Sequence, residues 1–215
     1  MTVCAQRLSE LGYREGMKKL HRSDLFSWAD FDEARDVDFN SVLWVREGGN
    51  VVFDPMPQRT HDRTHLTSLG PLAWIVITNS DHIRDAEALA AATGAKIAAP
   101  AAERGAEGLT ADAWLADGDV LVEGLTTVAL DGSKTPGELA FILEGSTLIT
   151  GDLVRAHRAG SLMILPDAKL TDRSAAVASV RRLAALPDIE AVLVGDGWPI
   201  FRGGGEALSA LAAGL

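Results

Sequence analysis

Four short polar segments along the chain could together form a metal-binding or acid–base site. Carboxylates and imidazoles bind divalent cations and transfer protons, and a lysine ammonium can stabilise developing negative charge. The segments lie at or near the ends of apolar runs, so we expect their side chains to project over a sheet edge, where α/β proteins usually bind ligands. The segments are Asn79-Ser80-Asp81-His82, Lys134-Thr135-Pro136-Gly137, Gly151-Asp152 and Gly195-Asp196-Gly197.

A predicted strand and helix position the first segment. Residues 72–77 form an apolar run rich in β-branched and aromatic side chains, bounded by turn residues, which predicts a buried strand. Residues 81–93 carry apolar side chains at helical spacing and end before Gly94, which predicts a helix. Asn79, Asp81 and His82 would then lie at the carboxyl end of the strand.

The rest of the chain predicts two sets of strands and helices. Residues 17–40 are predicted to be an extended arm, and residues 107–118 and the Arg- and Gly-rich segment 155–160 to be loops. Two sheets packed face to face with helices outside would bury both sets, so we predict an α/β fold, a four-layer αββα sandwich. Further strands are predicted at residues 41–46, 51–53, 95–98, 119–122, 125–130, 138–143, 146–150 and 189–194, and further helices at 60–69, 171–186 and 206–213.

Composition and charge exclude several classes of function. The 215 residues are 47% hydrophobic and 23% charged, as in globular domains, and a single domain is predicted at residues 17–215. The net charge of -10 opposes binding to nucleic acid or to an anionic membrane. The single cysteine, Cys4, excludes an internal disulfide framework and favours a reducing cytoplasm. No apolar run reaches the length of a membrane span, and no signal-peptide pattern opens the sequence.

The N-terminal residues are less strongly patterned than the rest. Residues 1–16 are predicted to be an extension outside the domain, and either Met1 or Met17 is compatible with the translation start. Apolar side chains around Phe26 and Trp28 are one surface through which a homodimer could form.

Four runs of sequence carry a resemblance to a known family. The runs are TNSDHIRDAEAL, GSKTPGELAFIL, STLITGDLV and VLVGDGWPIF. They are similar, in order and spacing over residues 40–211, to the T-H-x-H-x-D-H-x-G-G-x-x-x-L, G-H-T-P-G, x-L-x-x-G-D and P-G-H-G segments of the metallo-β-lactamase superfamily. The resemblance implies the αββα fold and the hydrolysis of an ester, thioester, amide or phosphoester by water that two zinc ions activate.

Most of the family's histidine ligands are replaced in this chain. By the resemblance, the first histidine has no counterpart, because Ile77 lies there or the loop is shorter. Asn79, Lys134 and Asp196 stand at three other histidine positions. A binuclear zinc centre is therefore not expected.

One divalent ion is the first of two interpretations of what remains. The resemblance retains Asp81, His82 and Asp152, which with Asp196 could surround an ion. Three carboxylates and one imidazole suit Mg²⁺, Mn²⁺ or Fe²⁺ better than zinc. The predicted cofactor is thus none or one divalent metal ion (Mn, Fe, Mg or Zn). Asp81 and Lys134 are the predicted catalytic residues, with Lys134 stabilising the oxyanion.

A metal-free ion-pair network is the second interpretation, and the one we favour. Lys134 places a positive charge where the family holds a cation and could pair with Asp152, and Arg155 or Arg158 could neutralise further carboxylates. A site that has lost four of five histidines rarely keeps its zinc affinity. In this interpretation Asp81 is a helix N-cap, and His82 packs beside it under the sheet.

Two functions therefore remain open. The first is a hydrolase-like protein that is at most a mononuclear metal-dependent hydrolase of an ester-like or phosphoester substrate, or is inactive. The second is a non-catalytic module that binds a small molecule or a partner chain in the cleft that corresponds to the family's active site, beside Arg155 and Trp198.

Overall fold

A seven-stranded sheet is built from the first part of the chain. The computed structural model describes residues 17–215, so the predicted extension at residues 1–16, with Cys4, lies outside the described residues. Strands β1 to β4 are antiparallel and β4 to β7 are parallel, in chain order. The strands are β1 (Lys18–Lys19), β2 (Leu25–Asp32), β3 (Val37–Trp44), β4 (Asn50–Phe53), β5 (Leu72–Val76), β6 (Lys96–Pro100) and β7 (Ala113–Leu115), and helices α1 (Thr60–Ser68) and α2 (Ala86–Thr93) connect β4, β5 and β6.

A five-stranded sheet follows, in the order β14-β11-β10-β9-β8. Its strands pair antiparallel except β11 and β14, which are parallel. A two-stranded hairpin and a helix connect β11 to β14. The elements are β8 (Val120–Val122), β9 (Leu125–Leu130), β10 (Glu138–Leu143), β11 (Thr147–Thr150), β12 (Val154–Arg158), β13 (Ser161–Ile164), α3 (Arg173–Ala184), β14 (Ala191–Val194) and α4 (Gly204–Ala213).

Three apolar clusters arrange these elements in four layers. Between the sheets, Phe53 of β4 and Phe141 of β10 are fully buried, with ring centroids 5.5 Å apart. Helix α2 packs on the other face of the first sheet through Leu89, and α3 packs on the second sheet through Val180. Each sheet therefore buries both faces, and the predicted αββα sandwich is confirmed.

Segments predicted to be irregular are strands. Within residues 17–40, β2 pairs along its whole length with β3, and residues 155–160 belong to the β12–β13 hairpin. The sequence did not predict β2 because its two buried residues, Leu25 and Trp28, are three positions apart and so lack the period of two that marks a half-buried strand. Trp28 is only 6% exposed and its Nε1 donates to the Met56 carbonyl at 2.9 Å, so it is not available to a second copy.

The helix predicted at residues 81–93 is divided in two. Ser80–His82 form a 3₁₀ turn, and α2 begins only at Ala86 and ends before Gly94, which has a φ of 76°. Arg84 interrupts the helix because its φ of 46° lies in the left-handed region. No helix within residues 17–215 is both long and apolar enough to cross a membrane.

Candidate functional site

The predicted polar segments meet at one cavity of about 420 Å³. Each segment follows or precedes a strand: β5 leads to His82, β11 to Asp152, β14 to Asp196, and Lys134 lies just before β10. The structure brings Asp81, His82, Lys134, Asp152, Arg155 and Asp196 together in the lining of this cavity.

Asp152 holds a different cation on each of its carboxylate oxygens. Arg155 Nη2 lies 2.7 Å from Oδ1, and Lys134 Nζ lies 3.1 Å from Oδ2. The Asp152 side chain is 2% exposed, so water cannot neutralise it. Burial alone would raise the pKa of Asp152, but the positive charges of His82, Lys134 and Arg155 hold it below its usual value. Asp152 is therefore a buried carboxylate that protein cations keep ionised.

Each of the two cations also reaches a second carboxylate. Arg155 Nη2 lies 2.5 Å from Asp196 Oδ2, in a contact buried from solvent on both sides. Lys134 Nζ lies 2.7 Å from Asp81 Oδ2, at the solvent-facing side of the cavity. Partial burial would lower the pKa of Lys134, but Asp81 and Asp152 raise it, so the ammonium is kept charged. The arrangement is a chain of alternating charges centred on Asp152.

His82 is oriented by a carboxylate that the sequence analysis did not select. Its Nδ1 lies 2.8 Å from Oδ2 of Asp54, which directly follows β4 and is 3% exposed. Asp54 also accepts hydrogen bonds from the Thr78 backbone N–H and hydroxyl, at 2.8 and 2.7 Å. Burial would lower the pKa of His82, but the charge and hydrogen bond of Asp54 together with the charge of Asp152 raise it above its usual value. The sequence feature that could have identified Asp54 as a site residue is its position directly after a buried strand and before Pro55.

Arg84 is a further cation at the cavity that the sequence analysis missed. Its left-handed backbone turns the side chain back toward β3 and β4, where Nη1 donates to the carbonyls of Asn40 and Asp54 at 2.7 and 3.0 Å. Nη2 lies 3.3 Å from His82 Nε2 and 3.6 Å from Asp196 Oδ1. That oxygen has no hydrogen-bond partner among the described residues, and Arg84 provides a positive charge beside it.

Asn79, rather than Asp81, caps the 3₁₀ turn. The Asn79 side-chain oxygen accepts the Asp81 backbone N–H at 3.0 Å, and its Nδ2 donates to Asp152 Oδ2 at 3.3 Å. The alternative role of Asp81 as an N-cap is therefore wrong, because its carboxylate is turned to Lys134. Gly151 is needed beside this contact, since a Cβ there would lie 2.7 Å from Thr78 Oγ1.

Glu138 is a second buried carboxyl group behind the site. It accepts the Ser133 hydroxyl at 2.5 Å and the Leu153 backbone N–H at 2.9 Å. Burial and the negative charge of Asp152 raise the pKa of Glu138 to about 7. Its place at the start of a strand predicted as ordinary core gave no signal of this role.

Trp198 and Arg158 do not join the site. The Trp198 backbone N–H donates to the Ala156 carbonyl at 2.7 Å, while its side chain is 58% exposed and does not line the cavity. Arg158 is exposed at the end of β12 and forms no ion pair within residues 17–215. Of the predicted cleft residues, the cavity thus includes Arg155 but not Trp198.

The residues in this arrangement do not fit a divalent ion. His82, Asp152 and Asp196 place ligand atoms within 4.8 Å of one another, and Asp81 is not part of that group. However, Arg155 Nη2 already bridges Asp152 and Asp196, as a metal ion would. Arg84 Nη2 also lies 3.3 Å from His82 Nε2, so a cation already lies beside the ring nitrogen that faces Asp152.

Comparisons with known proteins agree with this architecture. A family model described as the metallo-beta-lactamase superfamily matches residues 17–215. Among solved structures, a metallo-beta-lactamase from Pontibacter korlensis superposes with a TM-score of 0.72 at 19% identity, covering 93% of this chain and 99% of that chain. One from Hirschia baltica gives 0.71 at 19% identity, covering 92% and 95%. At these identities the likeness to the two structures is one of fold.

One curated relative is similar in sequence over part of its length. A hydroxyacylglutathione hydrolase from Rhodobacter capsulatus is 40% identical over 123 residues, which cover 54% of this chain and 44% of that protein. The aligned region therefore spans less than half the length of this relative.

Proposed function

Because the chain belongs to the metallo-β-lactamase superfamily, as its four runs of sequence predicted, we propose that it binds a small molecule in a cleft whose metal ions are replaced by protein cations. The observation that carries this proposal is the position of Arg155 Nη2, 2.7 Å from Asp152 and 2.5 Å from Asp196. In this proposal the protein is a hydrolase-like member of the family that does not use metal-bound water.

Three permanent cations face four carboxylates at the site, and a protonated His82 would balance the charges without an added ion. Removing one partner from a buried ion pair leaves an uncompensated charge, which costs about 3–5 kcal/mol, so buried carboxylates need fixed counter-charges. A divalent ion placed among these carboxylates would be repelled by the cations. Lys134 and Arg155 each pair with two carboxylates, so moving either away would leave both of its partners without that counter-charge. The acidic members are Asp54, Asp81, Asp152 and Asp196, and the cationic members are Arg84, Lys134, Arg155 and, when protonated, His82.

The side chains near the site that could act as nucleophiles are engaged in other contacts. The Ser133 hydroxyl donates to Glu138 rather than facing a general base in the cavity. The raised pKa of Lys134 keeps its amine protonated, and an ammonium is not a nucleophile. These contacts support a binding role over covalent catalysis.

A mononuclear metal-dependent hydrolase is the second candidate. It is favoured by the cluster of His82, Asp152 and Asp196, and by the name of the curated relative, which makes a hydroxyacylglutathione thioester the first substrate to assay. Asp81 would complete the ligand set and Lys134 would stabilise the oxyanion. This candidate requires Arg155 to leave the two carboxylates that it now bridges.

Metal content separates the two candidates. The full chain is purified without chelator, its Mn, Fe, Zn and Mg are measured by elemental analysis, and thermal unfolding is followed with each ion added. We expect no stoichiometric metal, no rise in Tm, and no hydrolysis of a hydroxyacylglutathione thioester or a chromogenic phosphodiester. One metal ion per chain, or a Tm that rises with one ion, would favour the hydrolase.

Three further expectations from the sequence remain proposals. They are a cytoplasmic location, a homodimeric state, and partners limited to small molecules rather than nucleic acid or membranes. The net charge of -10 supports the last of these.

A further inference from the structure

The cavity is lined by an excess of basic side chains in a protein that is acidic overall. Five Lys or Arg side chains face three Asp side chains in its lining, whereas the whole chain has a net charge of -10. The five are Arg35, Arg84, Lys134, Arg155 and Lys169. A local concentration of positive charge between low-dielectric walls attracts anions.

Two of these cations retain unused hydrogen-bond donors at the cavity. Arg155 uses Nε and Nη2 for Asp152 and Asp196, and no residue within 17–215 accepts from the two N–H groups of its Nη1. Lys134 has three N–H donors and two carboxylate partners, and its side chain is 29% exposed. The floor of the cavity can thus donate to a ligand without losing its ion pairs.

The mouth of the cavity adds a second group of cations. Arg35 is exposed there: its guanidinium carbon lies 5.6 Å from the centre of the Phe39 ring, and its Nη1 pairs with Asp32 at 2.9 Å. Lys169 stands nearby, and no residue within 17–215 forms an ion pair with it. Burial and the charges of Arg155 and Lys169 lower the pKa of His157, while Asp196 acts in the opposite direction.

We propose that this cavity binds a small molecule carrying a carboxylate or phosphate group. Lys134 and Arg155 bind the anionic group at the floor, and Lys169 and Arg35 bind it or a second anionic group at the mouth. Guanidinium groups suit both anions, because their planar pairs of N–H donors match two oxygens. The cavity of about 420 Å³ lies within the range of small-molecule sites. This ligand class rests on the proposed function, in which no metal ion occupies the site.

The test uses inorganic phosphate and malonate as probes on chelator-treated protein. Binding is measured by isothermal titration calorimetry at constant ionic strength, maintained with chloride, after elemental analysis of the same sample. Lys169→Ala and Arg35→Ala are made at exposed positions, and Lys18→Ala and Arg181→Ala serve as matched controls at exposed positions outside the cavity. Circular dichroism verifies that all four variants are folded.

We expect saturable binding of at least one probe, weakened at least about tenfold in Lys169→Ala or Arg35→Ala and unchanged in the controls. Binding of only phosphate or only malonate assigns the anionic group. No binding of either probe, with or without an added metal ion, would overturn the ligand class and leave the proposed function intact. Equal binding by cavity and control variants would also overturn it. Binding that requires a stoichiometric metal ion would overturn both proposals.

Discussion

Arg155 and Asp152 form an ion pair of 2.7 Å in which both side chains are less than a tenth exposed. The same nitrogen of Arg155 contacts Asp196, so one guanidinium neutralises two buried carboxylates. The family resemblance implies two zinc ions at this site, and here Arg155 and Lys134 contact the two oxygens of Asp152. The effects of these ion pairs on stability and on metal affinity can be measured separately.

Removing the positive charge of Arg155 is predicted to destabilise the fold strongly. Arg155→Met keeps an apolar side chain of similar reach but leaves Asp152 and Asp196 without their shared counter-charge. We expect the free energy of unfolding, from urea denaturation, to fall by about 3–5 kcal/mol. Arg158→Met, three residues along the same strand and exposed, should change it by less than about 0.5 kcal/mol. Equal effects of the two substitutions would contradict a network centred on Arg155.

Lys134→Met is predicted to have a smaller effect than Arg155→Met. Lys134 is 29% exposed and its partner Asp81 is 50% exposed, so water screens part of the interaction. We expect a loss of about 1–2 kcal/mol in urea denaturation, most of it from the contact with buried Asp152. Lys19→Met, at an exposed position on β1, is the control and should be close to neutral. A larger loss at Lys134 than at Arg155 would reverse the order that their burial implies.

The sequence predicted the sandwich and much of the site because both depend on local patterns. The apolar run before Asn79 and the strands before Asp152 and Asp196 are visible within windows of a few residues. Asp54 and Arg84 were missed because their roles arise from tertiary contacts: Asp54 meets His82 across 28 positions of sequence. The φ of 46° at Arg84, which interrupts the predicted helix, likewise accompanies contacts of its side chain with distant carbonyls.

Glu138 is predicted to make stability depend on pH. Its pKa is raised from 4.5 to about 7, so the folded state keeps a proton that the unfolded chain loses over this range. The contribution of this proton to the free energy of unfolding is complete below about pH 4.5 and is lost as the pH rises through about 7. The loss is on the order of 3 kcal/mol. Urea denaturation at pH 5 and pH 8 should show this loss in the wild type and much less of it in Glu138→Gln. An identical pH dependence in the two proteins would exclude Glu138 as its source.

His82 is predicted to titrate above its ordinary pKa, because Asp54 contacts its Nδ1 at 2.8 Å. In Asp54→Asn the burial of His82 and the charge of Arg84 remain, and Asp152 is the one attractive charge left of the two that raise the pKa, so the pKa should fall. The imidazole chemical shift, followed by NMR against pH, measures this directly. A His82 pKa unchanged by the substitution would contradict its dependence on Asp54.

Zinc affinity is predicted to return only when Arg155 is also removed. Asn79→His with Lys134→His restores two imidazoles that the family uses, but Arg155 would still bridge Asp152 and Asp196. Adding Arg155→Ala frees both carboxylates, so we expect added zinc to raise the Tm of this triple variant by several degrees.

The matched control carries Arg158→Ala in place of Arg155→Ala, since Arg158 is exposed and outside the cavity. Zinc should leave the Tm of this control and of the double variant nearly unchanged. If the double variant is stabilised as much as the triple variant, Arg155 does not occupy the position of a metal ion. If neither responds to zinc, the lost imidazoles at positions 79 and 134 are not the ligands that the resemblance implies.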